Sequence, residues 1–439
     1  MLFLSVDFGT SAVKLSVVDH NCQILSWAKH DYPYILLPGE KSEIDPHRLM
    51  EALYSAASQL DPGQRSRIEC LCYDSFSPSL VLMDKDGDLV YPNIITHMDR
   101  RSRAQTETID RLIGKETYRE ITGFYPFPGG CSAMTLLWIL QNNPEVLKKT
   151  YQIGHLTTYL HRQFTGRWMV DLVNASMTGL YETTVQSGWS DYLIKAFSFE
   201  KGWFGDIQNP GTAEGTLLPS MAGRLGIPAG IPVTIGTNDV AAAQMGAQNK
   251  LPGDIMNTAG SSEMVSILTD QPVGNPQYYL RNAALPGLWQ IYATTAGGFA
   301  VDWFYTQFCK DLSKEEFYNH YIVQAIEENL NDDSVIFDPY LTGDRQSLEK
   351  KTGAWHGLTL TATREQFLAA MLKSIQNVLY TAVLQAAQFQ ELNRTIKISG
   401  GMVTPAYLKL KALGFPGFQF QQVDDCPILG NVELAKYYL

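Results

Sequence analysis

Positive charge is scarce in this 439-residue chain, where 34 Lys and Arg stand against 45 Asp and Glu for a formal net charge of −11. That surplus repels nucleic-acid backbones and anionic lipid, which argues against a nucleic-acid or membrane-surface partner. Cysteine is sparse as well. Cys22, Cys70, Cys72, Cys131, Cys309 and Cys426 form no C-x-x-C pair, so neither a disulfide framework nor a structural zinc site is expected, and all six are read as reduced core thiols. The opening MLFLSVDFGTS meets Asp7 too early for a signal-peptide core, and no run approaches the roughly 18 apolar residues of a spanning helix. A cytoplasmic protein is expected. The glycine signatures G-x-x-x-x-G-K-[ST] and G-x-G-x-x-G are both missing, which removes the P-loop and dinucleotide folds.

What the chain does have is 45% apolar residues and many aromatics, enough for two or three folded domains, and a pattern that occurs twice. Phe3 to Asp7 is apolar and ends in an acid. Ala12 to Asp19 alternates, with Val13, Leu15 and Val17 on one face and Lys14 and Ser16 on the other, and Gln23 to Lys29 follows the turn His20-Asn21. These runs predict a three-strand meander. Asp254 to Thr258 repeats the first strand 251 residues on, passing through Ala259-Gly260-Ser261-Ser262 into Glu263 to Asp270. A second pair follows: Ile231 to Ile235 leads through Gly236-Thr237-Asn238-Asp239 into VAAAQMGA, and Ile396 to Ser399 leads through Gly400-Gly401 into PAYLKLKAL. Duplication predicts two like halves, 1–247 and 248–439, divided at the polar stretch QNKLPGD. The longest helices are expected over Pro144 to Thr165, ahead of Gly166, and from about Thr363.

A strand that ends in an acid and turns through Gly9-Thr10-Ser11 offers what a triphosphate needs: close backbone approach, amide and hydroxyl donors, and a carboxylate, Asp7, for hydrated Mg²⁺. An ordinary hairpin has the same letters; the echo at Gly260-Ser261 favours the phosphate reading. Asp239 opens an Ala-rich helix, where an acid either stabilises the first turn or takes a proton from an attacking hydroxyl. Gly400-Gly401 and Gly297-Gly298 are turns by default and nucleotide walls only in company. Asp99 and Arg101, with His97 beside them in NIITHMDRRSR, are a solvated charge cluster or a polyol contact.

Together these stretches resemble the FGGY family of carbohydrate kinases along nearly the whole chain. DFGTSAVK is similar to the family's first phosphate motif, which implies Asp7 for Mg²⁺ and Gly9, Thr10, Ser11 and Lys14 near phosphate. GTNDVAAAQMGA resembles the segment of the catalytic aspartate, Asp239. NTAGSSEMV resembles the second phosphate hairpin, with Gly260 and Ser261, and ISGGMVTPAYLKLKA the adenosine motif, with Gly400 and Gly401; Gly297 belongs with them. THMDRRS resembles the W-x-D-x-R sugar segment, giving His97, Asp99 and Arg101, and Ser77 stands where relatives contact sugar. TGRWMVDLVNASMTGLYE and FDPYLTGDR resemble the cores of the two domains. His97 for Trp, Thr135 for Lys and Ser399 for Gly depart from the pattern, and Pro78 cannot donate a hydrogen bond.

The resemblance implies an α/β fold of two ribonuclease H-like domains, of the actin, Hsp70 and sugar-kinase type, with a cleft between them. It also implies ATP and Mg²⁺, a small sugar or polyol as acceptor, and a homodimer. A ketopentose such as xylulose or ribulose is the first expectation; glycerol, a deoxyketose or an aldonate is the alternative. A rival reading is a non-catalytic ATP-binding regulator on the same fold, which needs Asp7 but not Asp239.

Overall fold

A computed structural model describes residues 1–127, 130–341, 343 and 351–439. Two mixed sheets carry the molecule, and their central strands follow the same order and directions. In the first, Leu2–Phe8 pairs antiparallel with Ala12–Asp19, which pairs antiparallel with Ile24–Asp31; on its other side Leu2–Phe8 runs parallel to Cys70–Ser75, which is followed by Pro232–Thr234. In the second, Ile255–Ala259, Glu263–Thr269 and Trp289–Thr295 form the meander, and Thr395–Ser399 then Gln419–Gln422 run parallel beyond it. The chain is thus two copies of one topology.

The repeat lies differently from the sequence expectation. Thr395–Ser399 occupies the place of Cys70–Ser75, next to the first strand, while Pro232–Thr234 matches Gln419–Gln422. Accordingly the helix Asp239–Gly246 is the counterpart of the terminal helix Cys426–Tyr438, and not of Pro405–Gly414. The local pattern of apolar strand, glycine turn and helix is common to both positions in the fold; only the non-local pairings Val233↔Leu71 and Ile396↔Ile255 tell them apart.

Two further expectations change. Pro144 to Thr165 is not one helix but a short helix, Pro144–Lys149, a strand, Gln152–Gly154, and a helix, Leu156–Thr165. The middle stretch is recruited as an edge by Ser79–Met83 in a five-stranded sheet that the sequence did not announce. Arg364–Ala386, capped by Thr363 with Gln366 in a capping box, is in fact long and apolar enough to cross a membrane. Its Leu372, Ile375, Leu379 and Val383 are buried against the second sheet and its satellite helices, which is the ordinary use of such a helix in a core.

Val13, Leu15 and Val17 pack against Leu49, Leu53 and Ala56 of the helix Pro46–Gln59. The opposite face, expected to be polar, is also covered. Phe3, Val18, Cys70 and Cys72 meet Ile428, Val432 and Ala435 of the terminal helix, so the end of the chain closes the first sheet. Each large apolar side chain sealed there contributes about 1.5–3 kcal/mol. The two equivalent helices cross at glycines: a Cβ on Gly246 would stand 1.9 Å from the Cys426 carbonyl oxygen, and one on Gly430 1.8 Å from that of Ala242. Gln244 extends the contact to the second sheet, donating to the Ser266 carbonyl at 3.0 Å and its hydroxyl at 2.8 Å. All six cysteines are free thiols, and only Cys22 is partly exposed. Of FDPYLTGDR, Thr342, Asp344 and Arg345 lie outside the described residues.

Candidate active site

Three adjacent strand ends of the first sheet deliver three carboxylates to one place. Asp7 sits on the rung Asp7↔Asp74, and Thr237–Asn238 pairs with Asp74 and Ser75 just before Asp239 begins its helix. Like charges gathered this way repel, and the compensating cation comes across the hairpin rung: Lys14 Nζ reaches Asp7 Oδ2 at 3.1 Å, which holds the ammonium above its ordinary value. Asp74 is buried; Asn431 of the terminal helix donates to its Oδ2 at 2.6 Å, and its Oδ1 has no hydrogen-bond partner among the described residues. Burial, then the charges of Asp7 and Asp239, push Asp74 well above the usual carboxylate range. The sequence reading missed this residue because Cys70-Leu-Cys-Tyr-Asp74 was weighed for its thiols; an acid ending a second apolar strand was the available signal.

Asp239 keeps part of its surface open while the surrounding protein desolvates it. Burial and the nearby Asp7 push its carboxyl up to about 6, against the pull of the Val240 amide, Arg281 and Lys14. Its Oδ1 accepts from Asn238 Nδ2 and Val240 N–H, both at 2.8 Å. The helix-start role and a partly open carboxylate therefore coexist, and Asn238 is the formal cap.

The turns at Gly9 and Gly260 are closed by those glycines' own amides, Gly9 N–H to Ala12 at 3.0 Å and Gly260 N–H to Ser262 at 3.2 Å. Of the amide donors expected at these turns, those of the two glycines are thus spent within the turns themselves. The donors left at the tips are the amides and hydroxyls of Thr10, Ser11, Ser261 and Ser262, with Ser11 and Ser261 exposed. Gly297 and Gly400 converge on the second turn: at φ +48° and +119°, their added Cβ atoms would lie 2.4 Å from the Glu263 nitrogen and 2.3 Å from the Ala259 oxygen. Gly401 is exposed with open space before it. Beneath this turn Glu263 is wholly buried and bonded to both Lys411 Nζ and Tyr407 OH, which ties the turn to the helix Pro405–Gly414.

Asp99 and Arg101 are not where a polyol contact needs them. Arg101 donates from Nε to Asp99 at 2.8 Å, from Nη1 to Tyr91 at 2.8 Å and from Nη2 to Glu43 at 2.5 Å and Asp99 at 2.7 Å; both side chains are sealed from solvent. Their hydrogen bonds are spent inside the protein, bracing the segment that carries His97. His97 itself is half-buried beside Phe76. Ser77 opens a relay: its hydroxyl and His155 Nδ1 both reach Asn174 Oδ1, at 2.6 and 2.7 Å, and His155 Nε2 meets Ser132 Oγ at 2.7 Å. These partners assign the Nδ1–H tautomer, and burial pulls His155 down to about 4, so the ring is neutral. Asn174 Nδ2 donates to Asp171, which also accepts from Thr237, two residues before Asp239.

Residues 2–246 match the N-terminal domain of the FGGY family of carbohydrate kinases. The chain belongs to that family. It is 24% identical to the xylulose kinase of Bacillus subtilis (strain 168) across 93% of this chain and 82% of that one, and 22% identical to the gluconokinase of the same organism across 91% and 79%. A crystal structure of a xylulose kinase from Brucella ovis covers this whole chain and 90% of its own with a TM-score of 0.88 at 22% identity. This FGGY member is an ATP-dependent carbohydrate kinase on the two-domain actin-like fold.

Proposed function

We propose that this kinase transfers the γ-phosphoryl group of ATP to a hydroxyl of a ketopentose such as xylulose or ribulose, with Asp239 as the proton acceptor. One observation carries the base role: a partly open carboxylate, held near pKa 6, feels both Asp7 of the first hairpin and Arg281 of the second sheet. The domain reading 1–247 and 248–439 belongs to the same proposal, with the acceptor on the first lobe and nucleotide on the second, except that the helix Cys426–Tyr438 returns to cover the first sheet.

Positioning and charge neutralisation dominate such a transfer. The tips Thr10-Ser11 and Ser261-Ser262 donate to phosphate oxygens, Gly297 and Gly400 let the nucleotide side of the second lobe close on its turn, and Gly401 keeps a side chain out of the open space before it. Lys14 adds a cation beside Asp7. His97 and Ser77 face the acceptor, Ser77 through the relay to Asn174. Mg²⁺ fits this donor set, since Asp7 and Asp74 supply hard carboxylate oxygens. Asp7, Asp74 and Asp239 come near one another without forming a three-ligand cluster among the described residues, so an ion held here would take its remaining ligands from water and phosphate. When bound, it neutralises phosphate charge. Free thiols throughout support a reducing, cytoplasmic setting.

The test is ADP release measured over pentuloses, hexuloses, polyols and sugar acids. Acceptor-dependent release with a pentulose among the best acceptors is expected. Release that ignores every acceptor would overturn the reading in favour of a nucleotide-binding regulator.

A further inference from the structure

In the second lobe three helices leave a cleft of about 520 Å³ between them, a volume within the range of small-molecule sites. Its walls come from the end of Ile322–Asn329, the middle of Arg364–Ala386 and the end of Pro405–Gly414. The cleft is separate from the glycines assigned to nucleotide. Gly400-Gly401 precede the start of Pro405–Gly414, whereas Leu410, Leu413 and Gly414 line the cleft at the other end, about 8–14 Å further along the helix axis.

The lining is mixed and carries no net charge. Val335 and Leu410 supply hydrocarbon, while Asn331, Ser374 and Asn377 supply neutral amides and a hydroxyl. Its charged residues match each other: Lys373 Nζ meets Asp333 Oδ1 at 3.1 Å and donates to the Asp332 carbonyl at 2.7 Å. A phosphate finds no uncompensated cation here, and a metal ion or an amine no uncompensated anion. The cleft suits an uncharged ligand.

Gln376 adds a specific demand. It belongs to the same wall and is 1% exposed. Its Nε2 donates to the Leu372 carbonyl at 3.3 Å and to the Tyr407 hydroxyl at 2.9 Å, which fixes the amide, because a carbonyl oxygen can bond only its NH₂ end. Oε1 is then buried with no hydrogen-bond partner among the described residues. An unmet buried acceptor is costly, and a donor brought by a ligand removes that cost. A carbon chain bearing hydroxyls answers the whole lining: it donates to an amide oxygen, accepts from Ser374 or an asparagine, and lays C–H groups on Val335 and Leu410.

The same glutamine leads to the phosphate turn. Tyr407, which it holds, donates to Glu263, and Glu263 directly follows Ser261-Ser262. A ligand that fixes Gln376 acts on the residues that brace that turn. We propose that this cleft seats an uncharged polyol as an effector, remote from the acceptor, and that its occupancy tightens nucleotide binding through Gln376, Tyr407 and Glu263. The seat stands apart from the kinase reading; its effect on nucleotide rests on it. Linkage then requires nucleotide to tighten polyol binding by the same factor.

The test is methyl NMR of the full chain titrated with xylitol, ribitol and glucitol, paired with calorimetric titration of ADP with and without saturating polyol. The methyl signals of Val335 and Leu410 are expected to shift saturably with the best polyol. Gln376→Leu should weaken that binding about tenfold. Leu413→Trp, at a position 48% exposed, places an indole at the mouth and should abolish it, a readout that stands even if Gln376→Leu fails to fold. Wild type should bind ADP about fivefold tighter with polyol present. Leu413→Trp should not, which separates this seat from a polyol in the acceptor site. Cleft methyls that saturate with none of the three, or saturate alike in wild type and Gln376→Leu, would overturn the seat. ADP affinity unmoved by a polyol that saturates the cleft would overturn the effector role. Failure of the kinase reading looks different: the polyol still binds and tightens ADP, but no acceptor brings about ADP release from ATP.

Discussion

The two hairpins share a topology and divide the chemistry. On the rung where the first sheet places Asp7 opposite Asp74, the second places Thr258 opposite Ser399, each two residues before or beside the glycine turn. The first lobe therefore presents carboxylates, which suit a cation and a proton; the second presents hydroxyls, which suit an anion. The second lobe's acid, Glu263, is instead drawn inward and neutralised by Lys411. The two copies share a frame and differ in the polar residues at equivalent rungs, carboxylates in one and hydroxyls in the other.

The largest effect expected from disturbing this contrast is at Asp7. Asp7→Asn should lower kcat/KM by about 10²-fold or more and raise the Mg²⁺ concentration needed for half-maximal rate; a variant with unchanged Mg²⁺ dependence would deny the first lobe its cation role. Next is the buried pair of the second lobe. Lys411→Met leaves the Glu263 carboxylate without its cation and should cost about 3–5 kcal/mol of stability by denaturant titration, most of it recovered on adding Glu263→Gln. A loss under about 1 kcal/mol would show that the pair does not brace the turn. Gly400→Ala forces a Cβ toward the Ala259 oxygen at a positive φ, with an expected cost of about 1–3 kcal/mol. KM for ATP should rise more than KM for the acceptor. Smallest is the exposed pair Arg103–Glu40, outside both hairpins, where Arg103→Ala should change stability by less than about 1 kcal/mol.

Sequence made the hairpins legible because alternation in Ala12 to Asp19 and the acid-glycine junction are local signals. It could not order the strands beyond them. Ile231 to Ile235 and Ile396 to Ser399 look alike in sequence, and their unequal places depend on partners far along the chain. Arg101 was legible as a charged residue, but its role was set by Glu43, 58 residues upstream, which takes the donor a sugar would use. Gln376 escaped notice for the converse reason: a lone glutamine in an apolar helix gives no sign that its fold leaves the amide oxygen without a donor.

Asp239 holds the account together, and the pH profile of transfer tests it. With its folded value near 6 and an unfolded value near 4, kcat/KM of wild type should climb as pH rises through about 6. The same raised value means its protonated form favours folding below about pH 4 and that this contribution is lost as pH passes 6, so Asp239→Asn should also melt higher at pH 7 by an amount equivalent to about 1–3 kcal/mol. The decisive measurement is single-turnover ADP release by Asp239→Asn across pH 5 to 8 with its best acceptor. The account predicts a rate about 10²–10⁴-fold below wild type at pH 8, with that climb gone and ATP still bound; a rate within tenfold of wild type, with the climb intact, would contradict it.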